Sequence, residues 1–204
     1  MVCDNWTGLT KQTGRAHQKS VADNATARSE KRITLVLKAV AFAAKKHRDQ
    51  RRKDAEASPY INHPIALADV LWHEGEVRDP VVIAAALLHD TIEDTKTTKA
   101  ELRRLFGVKV ADIVAEVTDN KRLSKERRKE LQIEHAAQLS KDAKLIKLAD
   151  KICNLGDILA SPPKDWSIER KREYFDWAKK VINQVRGTNP KLERRFDQLY
   201  RKRP

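Results

Sequence analysis

From Ile33 onward, apolar residues recur at helical spacing. Ile33, Leu35, Val36, Leu37, Val40, Ala41, Phe42 and Ala44 predict an apolar helix that ends near Lys45 to His47. Residues 48–58 (RDQRRKDAEAS) are charged and without period, which predicts a loop. Pro64 then reads as the first position of a second helix, reaching about His73. Asp79 and Pro80 repeat that start signal, and residues 81–88 (VVIAAALL) are apolar on every face. A helix with no solvent face belongs at the centre of a fold. Thr98 and Glu101 have the spacing of a capping box, opening a short helix through Leu105 and Phe106. Residues 108–117 predict another helix, and residues 124–139 a charged surface one. Residues 143–159 (AKLIKLADKICNLGDIL) are again apolar at helical spacing, with Lys144, Lys147 and Lys151 on one side. Ser161-Pro162-Pro163 breaks the chain, and Ser167 starts a long amphipathic helix through about Val185. Gly187 closes it and Pro190 begins a last, basic helix. With no internal repeat and no strand alternation, the expected fold is all-α, a bundle of about eight to ten helices.

Residues 1–31 lack this pattern and are expected to form a disordered or weakly ordered extension, leaving 32–204 as one domain. The extension carries Asp4, Asp23 and Glu30, which argues against a transit peptide, and it has no compact apolar block. No stretch approaches the roughly 18–20 apolar residues of a membrane span. Cys3 and Cys153 lie far apart in sequence and in no Cys-x-x-Cys spacing. Neither a disulfide framework nor a thiolate metal site is supported, and a cytoplasmic location is expected. Few glycines and few aromatics fit a helical rather than a many-turned β fold. The net charge of +13 admits three readings: solvated helix faces, a nucleic acid, or a small phosphorylated ligand. Charge alone does not choose among them.

Candidate chemistry changes that. In residues 87–94 (LLHDTIED), His89, Asp90, Glu93 and Asp94 directly follow the most apolar helix of the chain. Burying ionised carboxylates is costly unless they are paired or coordinate a cation, and a metal is the simplest counter-charge. His89 and Glu93, like Asp90 and Asp94, share a helical face. Adjacent His89 and Asp90 diverge by about 100° on a helix, so both reach one ion only near a helix end. The alternative is a capped, solvated helix terminus. His63, at the start of a helix in Tyr60-Ile61-Asn62-His63-Pro64, and Asp150, inside an apolar helix, complete a set of two imidazoles and two carboxylates. Taken singly, His63 reads as structural and Asp150 as an ion pair with Lys151. Mixed nitrogen and oxygen ligation leaves positions open for water and substrate, as a hydrolytic metal requires. Its oxygen content suits Mn²⁺ or Mg²⁺, with Fe²⁺, Co²⁺ and Zn²⁺ still open.

The runs HRDQRRKDAEASPYINHP (residues 47–64), AALLHDTIEDT (85–95) and KLADKICNL (147–155) resemble the hydrolase domain of RelA/SpoT homologues. The resemblance is to the short, hydrolase-only kind typified by the metazoan SpoT homologue, and it runs from about Leu35 to Leu199. It implies an HD-domain helical bundle that removes the 3′-pyrophosphate of guanosine tetra- and pentaphosphate alarmones, usually with Mn²⁺. On this resemblance His63, His89, Asp90 and Asp150 are metal ligands, and Glu93 and Asp94 position and activate the attacking water. Arg52, Lys53 and Asn154 match nucleotide contacts, and Lys125 and Tyr174 further substrate-side positions. A chain of this length is expected to hold neither a synthetase nor a regulatory domain, so hydrolysis alone is implied.

One departure stands out. After Asn154 the family commonly has Leu or Met and then Arg, whereas this chain reads Leu155-Gly156-Asp157. The loss of a cation there leaves room for a different nucleotide. Two alternatives therefore stay open: a 2′- or 3′-phosphatase acting on a nucleotide such as NADPH, and a basic nucleotide-binding protein with a vestigial HD site. The expected partner is a small anionic nucleotide, rather than a membrane or a nucleic acid; the oligomeric state is left open.

Overall fold

The computed structural model describes residues 9–204, with side chains described from Thr26 onward. Among these residues there are ten α-helices, one π-helical turn and no strand. A single antiparallel bridge joins Arg51 and Pro59 across the loop predicted over residues 48–58.

Helix α1 (Leu9–Lys46) begins well before Ile33. Apolar periodicity reports where a helix packs, not where it starts. Residues 9–32 contain no Pro and many good helix formers, so helical backbone continues through polar sequence. Of the extension expected over residues 1–31, residues 1–8 lie outside the described residues. Residues 26–34 are all exposed, and packing begins at Leu35.

Helix α2 (Asn62–Asp69) starts two residues ahead of Pro64 and continues into a π-helical turn over Val70–Glu74. Proline is tolerated in a first turn because the N–H it lacks has no intrahelical partner there. Gly75 ends the turn, where a Cβ would stand 2.9 Å from the Leu71 carbonyl oxygen and 3.0 Å from Leu192.

Helix α3 (Pro80–Leu88) is capped by the Asp79 side chain, which accepts from the Val81 N–H. Every residue from Val82 to Leu88 is buried, and the helix packs against α1, α2, α6 (Val108–Val117) and α8 (Lys141–Ala160). It is the centre of the fold, as its all-round apolarity predicts. Its alanines let neighbouring helices approach closely, while each buried Leu contributes roughly 1.5–3 kcal/mol.

The remaining helices are α4 (Thr91–Asp94), α5 (Lys99–Phe106), α7 (Lys125–Ala136), α9 (Ile168–Asn183) and α10 (Pro190–Tyr200). Thr98, Ser124, Ser140 and Ser167 each accept a hydrogen bond from the backbone N–H three residues on, fixing the starts of α5, α7, α8 and α9. Only half of the predicted capping box forms. The Glu101 carboxylate pairs with Lys46 at 3.1 Å instead of reaching back to its own cap. Helix α7 stops one turn short of Leu139.

Candidate active site

Leu88 is the last residue of α3, and His89 and Asp90 form the turn into α4. Asp90 opens to φ −95°, ψ −3°, near the bridge region of backbone space. The break brings together two side chains that a continuous helix would spread apart: His89 Nε2 stands 2.9 Å from Asp90 Oδ2. His63, from the first turn of α2, places its ring 5.3 Å from that of His89. One donor atom from each of His63, His89 and Asp90 lies within 4.8 Å of the other two. Asp150, midway along α8, reaches the cluster through His63, with Oδ1 3.2 Å from His63 Nε2. Its oxygens also accept from Asn154 Nδ2 at 2.7 Å and Lys151 Nζ at 2.8 Å. Asp150 is thus both an ion-pair partner of Lys151 and a neighbour of the imidazoles.

These residues fit a cation. His89 Nδ1 sits 2.8 Å from the Ala86 carbonyl oxygen and so carries the proton, leaving Nε2 toward the Asp90 carboxylate. His63 Nδ1 and His89 Nε2 are buried and have no hydrogen-bond partner of acceptable geometry in the protein. A lone pair facing a carboxylate is repulsive until a proton or a metal ion intervenes. Burial alone would lower the pKa of His89, yet Asp90 and Asp150 raise it to about 9. Burial likewise pushes Asp90 and Asp150 upward. The neighbouring imidazoles, and Lys151 for Asp150, hold both well below the usual carboxylate range. The cluster's nitrogen and oxygen donors suit a divalent ion.

Glu93 and Asp94 flank this cluster on α4. Glu93 accepts from the Asp119 N–H at 3.0 Å and lies 3.5 Å from Arg128. Burial raises its pKa; the Asp119 N–H opposes the shift, while Asp119, Asp90 and Asp94 add to it. Asp94 pairs with Lys121 and also accepts from the Tyr60 hydroxyl at 3.3 Å. That hydroxyl donates to Asp90 at 2.5 Å, so Tyr60 links both acids. The backbone of Asp94 is held from α1's end of the fold, by a 2.6 Å bond from Gln50, itself 2.6 Å from His47.

The substrate-side candidates spread over three adjoining spaces. Arg52 and Asn154 line both a cleft of about 170 Å³ at the His/Asp cluster and a neighbouring cavity of about 440 Å³. Lys53 and Tyr174 line that cavity and also a groove of about 710 Å³ between α7 and α9, where Lys125 lies. Arg52 is ion-paired with Asp157, its carbon centre 5.8 Å from the Tyr60 ring centroid. Sequence reasoning did not single out Tyr60, Lys121, Arg128 or Asp157. Tyr60 carried a signal, three residues before His63 in the same motif. Lys121 and Arg128 are two among 42 basic residues, and nothing in their spacing marks them.

Comparison with known proteins shows the family of the chain. A family model described as HD domain matches residues 39–176, and the chain belongs to that family. It is 53% identical over 169 residues to guanosine-3′,5′-bis(diphosphate) 3′-pyrophosphohydrolase MESH1 of Danio rerio, covering 83% of this chain and 94% of that one. The protein of the same name from Homo sapiens is 52% identical over 168 residues, covering 82% and 94%. Among solved structures, a metazoan orthologue of SpoT described as hydrolysing ppGpp aligns with a TM-score of 0.81 and 48% identity, over 83% of this chain and 95% of the other. Among the described residues no helix is long and apolar enough to cross a membrane.

Proposed function

We propose that this chain hydrolyses the 3′-pyrophosphate of guanosine 3′,5′-bis(diphosphate) and its 5′-triphosphate analogue, yielding GDP or GTP and pyrophosphate. The observation that carries the reading is the convergence of His63, His89, Asp90 and Asp150 at a helix break, in a chain 53% identical over 169 residues to an enzyme named for that reaction. In this reading residues 32–204 form the catalytic unit and those four side chains hold one Mn²⁺. A bound divalent ion supplies positive charge to the phosphoryl oxygens and makes a water more acidic.

The chain's own residues do the rest. Glu93, with its raised pKa, takes a proton from the attacking water, oriented by the Asp119 N–H and Arg128. Asp94 shares that task, steadied by Tyr60 and Lys121. Asn154 holds Asp150 in place, and Arg52 and Lys53 face the nucleotide. The free, buried thiol of Cys153 is compatible with a reducing cytoplasm.

The test follows pyrophosphate and phosphate release from the alarmone and from NADPH, each with Mn²⁺ and with chelator. Mn²⁺-dependent pyrophosphate release from the alarmone is expected, with Asp90→Ala and Asp150→Ala losing both turnover and Mn²⁺ binding. Chelator-resistant turnover, or release from NADPH alone, rejects the reading.

A further inference from the structure

Lys144, Lys147 and Lys151 run along one side of α8, yet that side is not a solvated basic stripe. Lys147 is 9% exposed and Lys151 3%. Lys151 is compensated: its Nζ stands 2.8 Å from Asp150 and 4.4 Å from the Trp177 ring centroid. Lys147 is not. Among the described residues its Nζ has one hydrogen-bond acceptor, the Val117 carbonyl oxygen at 3.0 Å, and no carboxylate at ion-pair distance. A buried ammonium with one neutral acceptor costs more than that bond returns, and a methionine of similar length would fill the space without the cost. Stability therefore does not account for a charge at this position.

The charge has a place in the site. Lys147 lines the metal cleft with Asp90, Glu93, Asp119 and Asp150. Asp119, Asp150 and Glu93 favour its charged form, against burial and Lys151. Its one hydrogen bond opens a short path to Glu93. Val117 is the last residue of α6, where the helix leaves carbonyls without an intrahelical partner and carries partial negative charge, so an ammonium is well placed there. Two residues on, the Asp119 N–H donates to Glu93 Oε2 at 3.0 Å. Between them the Thr118 hydroxyl donates to the Val114 carbonyl at 2.7 Å, and Gln132 of α7 donates to the Asp119 carboxylate at 2.7 Å. Residues 117–119 are thus held from α6, α7 and α8 at once, and Lys147 supplies the hold from α8.

We propose that Lys147 is a positioning residue for hydrolysis: its buried ammonium fixes the end of α6 through the Val117 carbonyl and so aims the Asp119 N–H that orients Glu93. The proposal rests on the reading of Glu93 as the group that takes the proton from water. Lys147 acts through Asp119 and Glu93 rather than on the nucleotide or the metal ion, so its contribution belongs to turnover and not to binding.

The experiment uses the full chain with Mn²⁺ and the alarmone, following pyrophosphate release. Lys147→Met removes one hydrogen bond from a charged donor, which should lower kcat by about 10- to 100-fold. KM and the Mn²⁺ concentration for half-maximal rate should change by less than about twofold. Its Tm should hold or rise, since an apolar side chain replaces an incompletely paired charge. In a Glu93→Gln background the same substitution should cost less than about twofold in kcat, because the group that Lys147 aims is already disabled. If Lys147→Met does not fold, Lys147→Ala decides: added ethylammonium should restore turnover and added ethanol should not. Unaltered kcat in Lys147→Met overturns the proposal, as does a loss confined to KM, which would put the ammonium on the nucleotide. An undiminished further loss in the Glu93→Gln background, or an equal response to the two additives, overturns it too. Full turnover by Glu93→Gln itself would instead defeat the reading of Glu93, whatever Lys147→Met does.

Discussion

Removing one oxygen atom, in Tyr60→Phe, tests how the site is held. The Tyr60 hydroxyl donates to Asp90 at 2.5 Å and lies 3.3 Å from Asp94, so one group restrains both the proposed metal ligand and the acid proposed to direct the water. The ring's other contacts survive the change: the His47 ring centroid is 4.9 Å away and the Arg52 guanidinium 5.8 Å. A hydrogen bond to a charged group contributes roughly 1.5–3 kcal/mol. At 1.4 kcal/mol per factor of ten, the loss is about 10- to 100-fold in the step that depends on it. Two readouts divide that loss. Freedom gained by Asp90 should raise the Mn²⁺ concentration for half-maximal rate, and freedom gained by Asp94 should lower kcat at saturating Mn²⁺. The shorter bond goes to Asp90, so most of the effect is expected in the metal dependence. Pyrophosphate release measured across a Mn²⁺ titration yields both numbers. A variant with unaltered kcat and unaltered Mn²⁺ dependence would refute the argument that Tyr60 restrains either acid.

Glu93 must be ionised to accept a proton, and its pKa is raised above the 4.5 of an unperturbed glutamate. Activity should therefore be present above that raised pKa and fall as pH drops through it. Glu93→Gln should keep Mn²⁺ binding, turn over at least about 100-fold more slowly and lose this acid limb, as a pH–rate profile with calorimetric metal titration would reveal; normal turnover removes Glu93 from the mechanism. Gly156 lies within α8, and a Cβ added there would meet no neighbouring atom within 4 Å. Gly156→Ala should thus stabilise the fold by up to about 1 kcal/mol, or roughly 2–4 °C in Tm by scanning calorimetry; a lower Tm contradicts the open space.

The sequence and the structure part company for identifiable reasons. Residues 81–88 announced the central helix because an element apolar on every face has only one place to go, and His89 and Asp90 stand where that helix ends. His63 and Asp150 were legible as members of motifs, and the fold brings them to the same cleft from α2 and α8. The start of α1 was not legible, since a polar helical stretch, exposed where residues 26–34 are described, leaves no apolar trace in the sequence. Lys121 and Arg128 were hidden for a different reason. Each sits near the start of α7 and meets an acid of α4 about thirty residues away in sequence, a pairing made by tertiary packing alone.

The departure at Gly156 now has a physical setting. Arg52 pairs with Asp157, the residue after Gly156, at the wall of the 440 Å³ cavity. Arg51 and Lys53 line the same cavity and meet no carboxylate at ion-pair distance among the described residues, so it keeps positive charge without a cation at position 156. Lys125, Lys129 and Arg170 line the α7–α9 groove together with Glu126, Glu169 and Glu173, so positive charge is spread over both spaces. The loss of one arginine from α8 therefore does not argue for a less charged substrate.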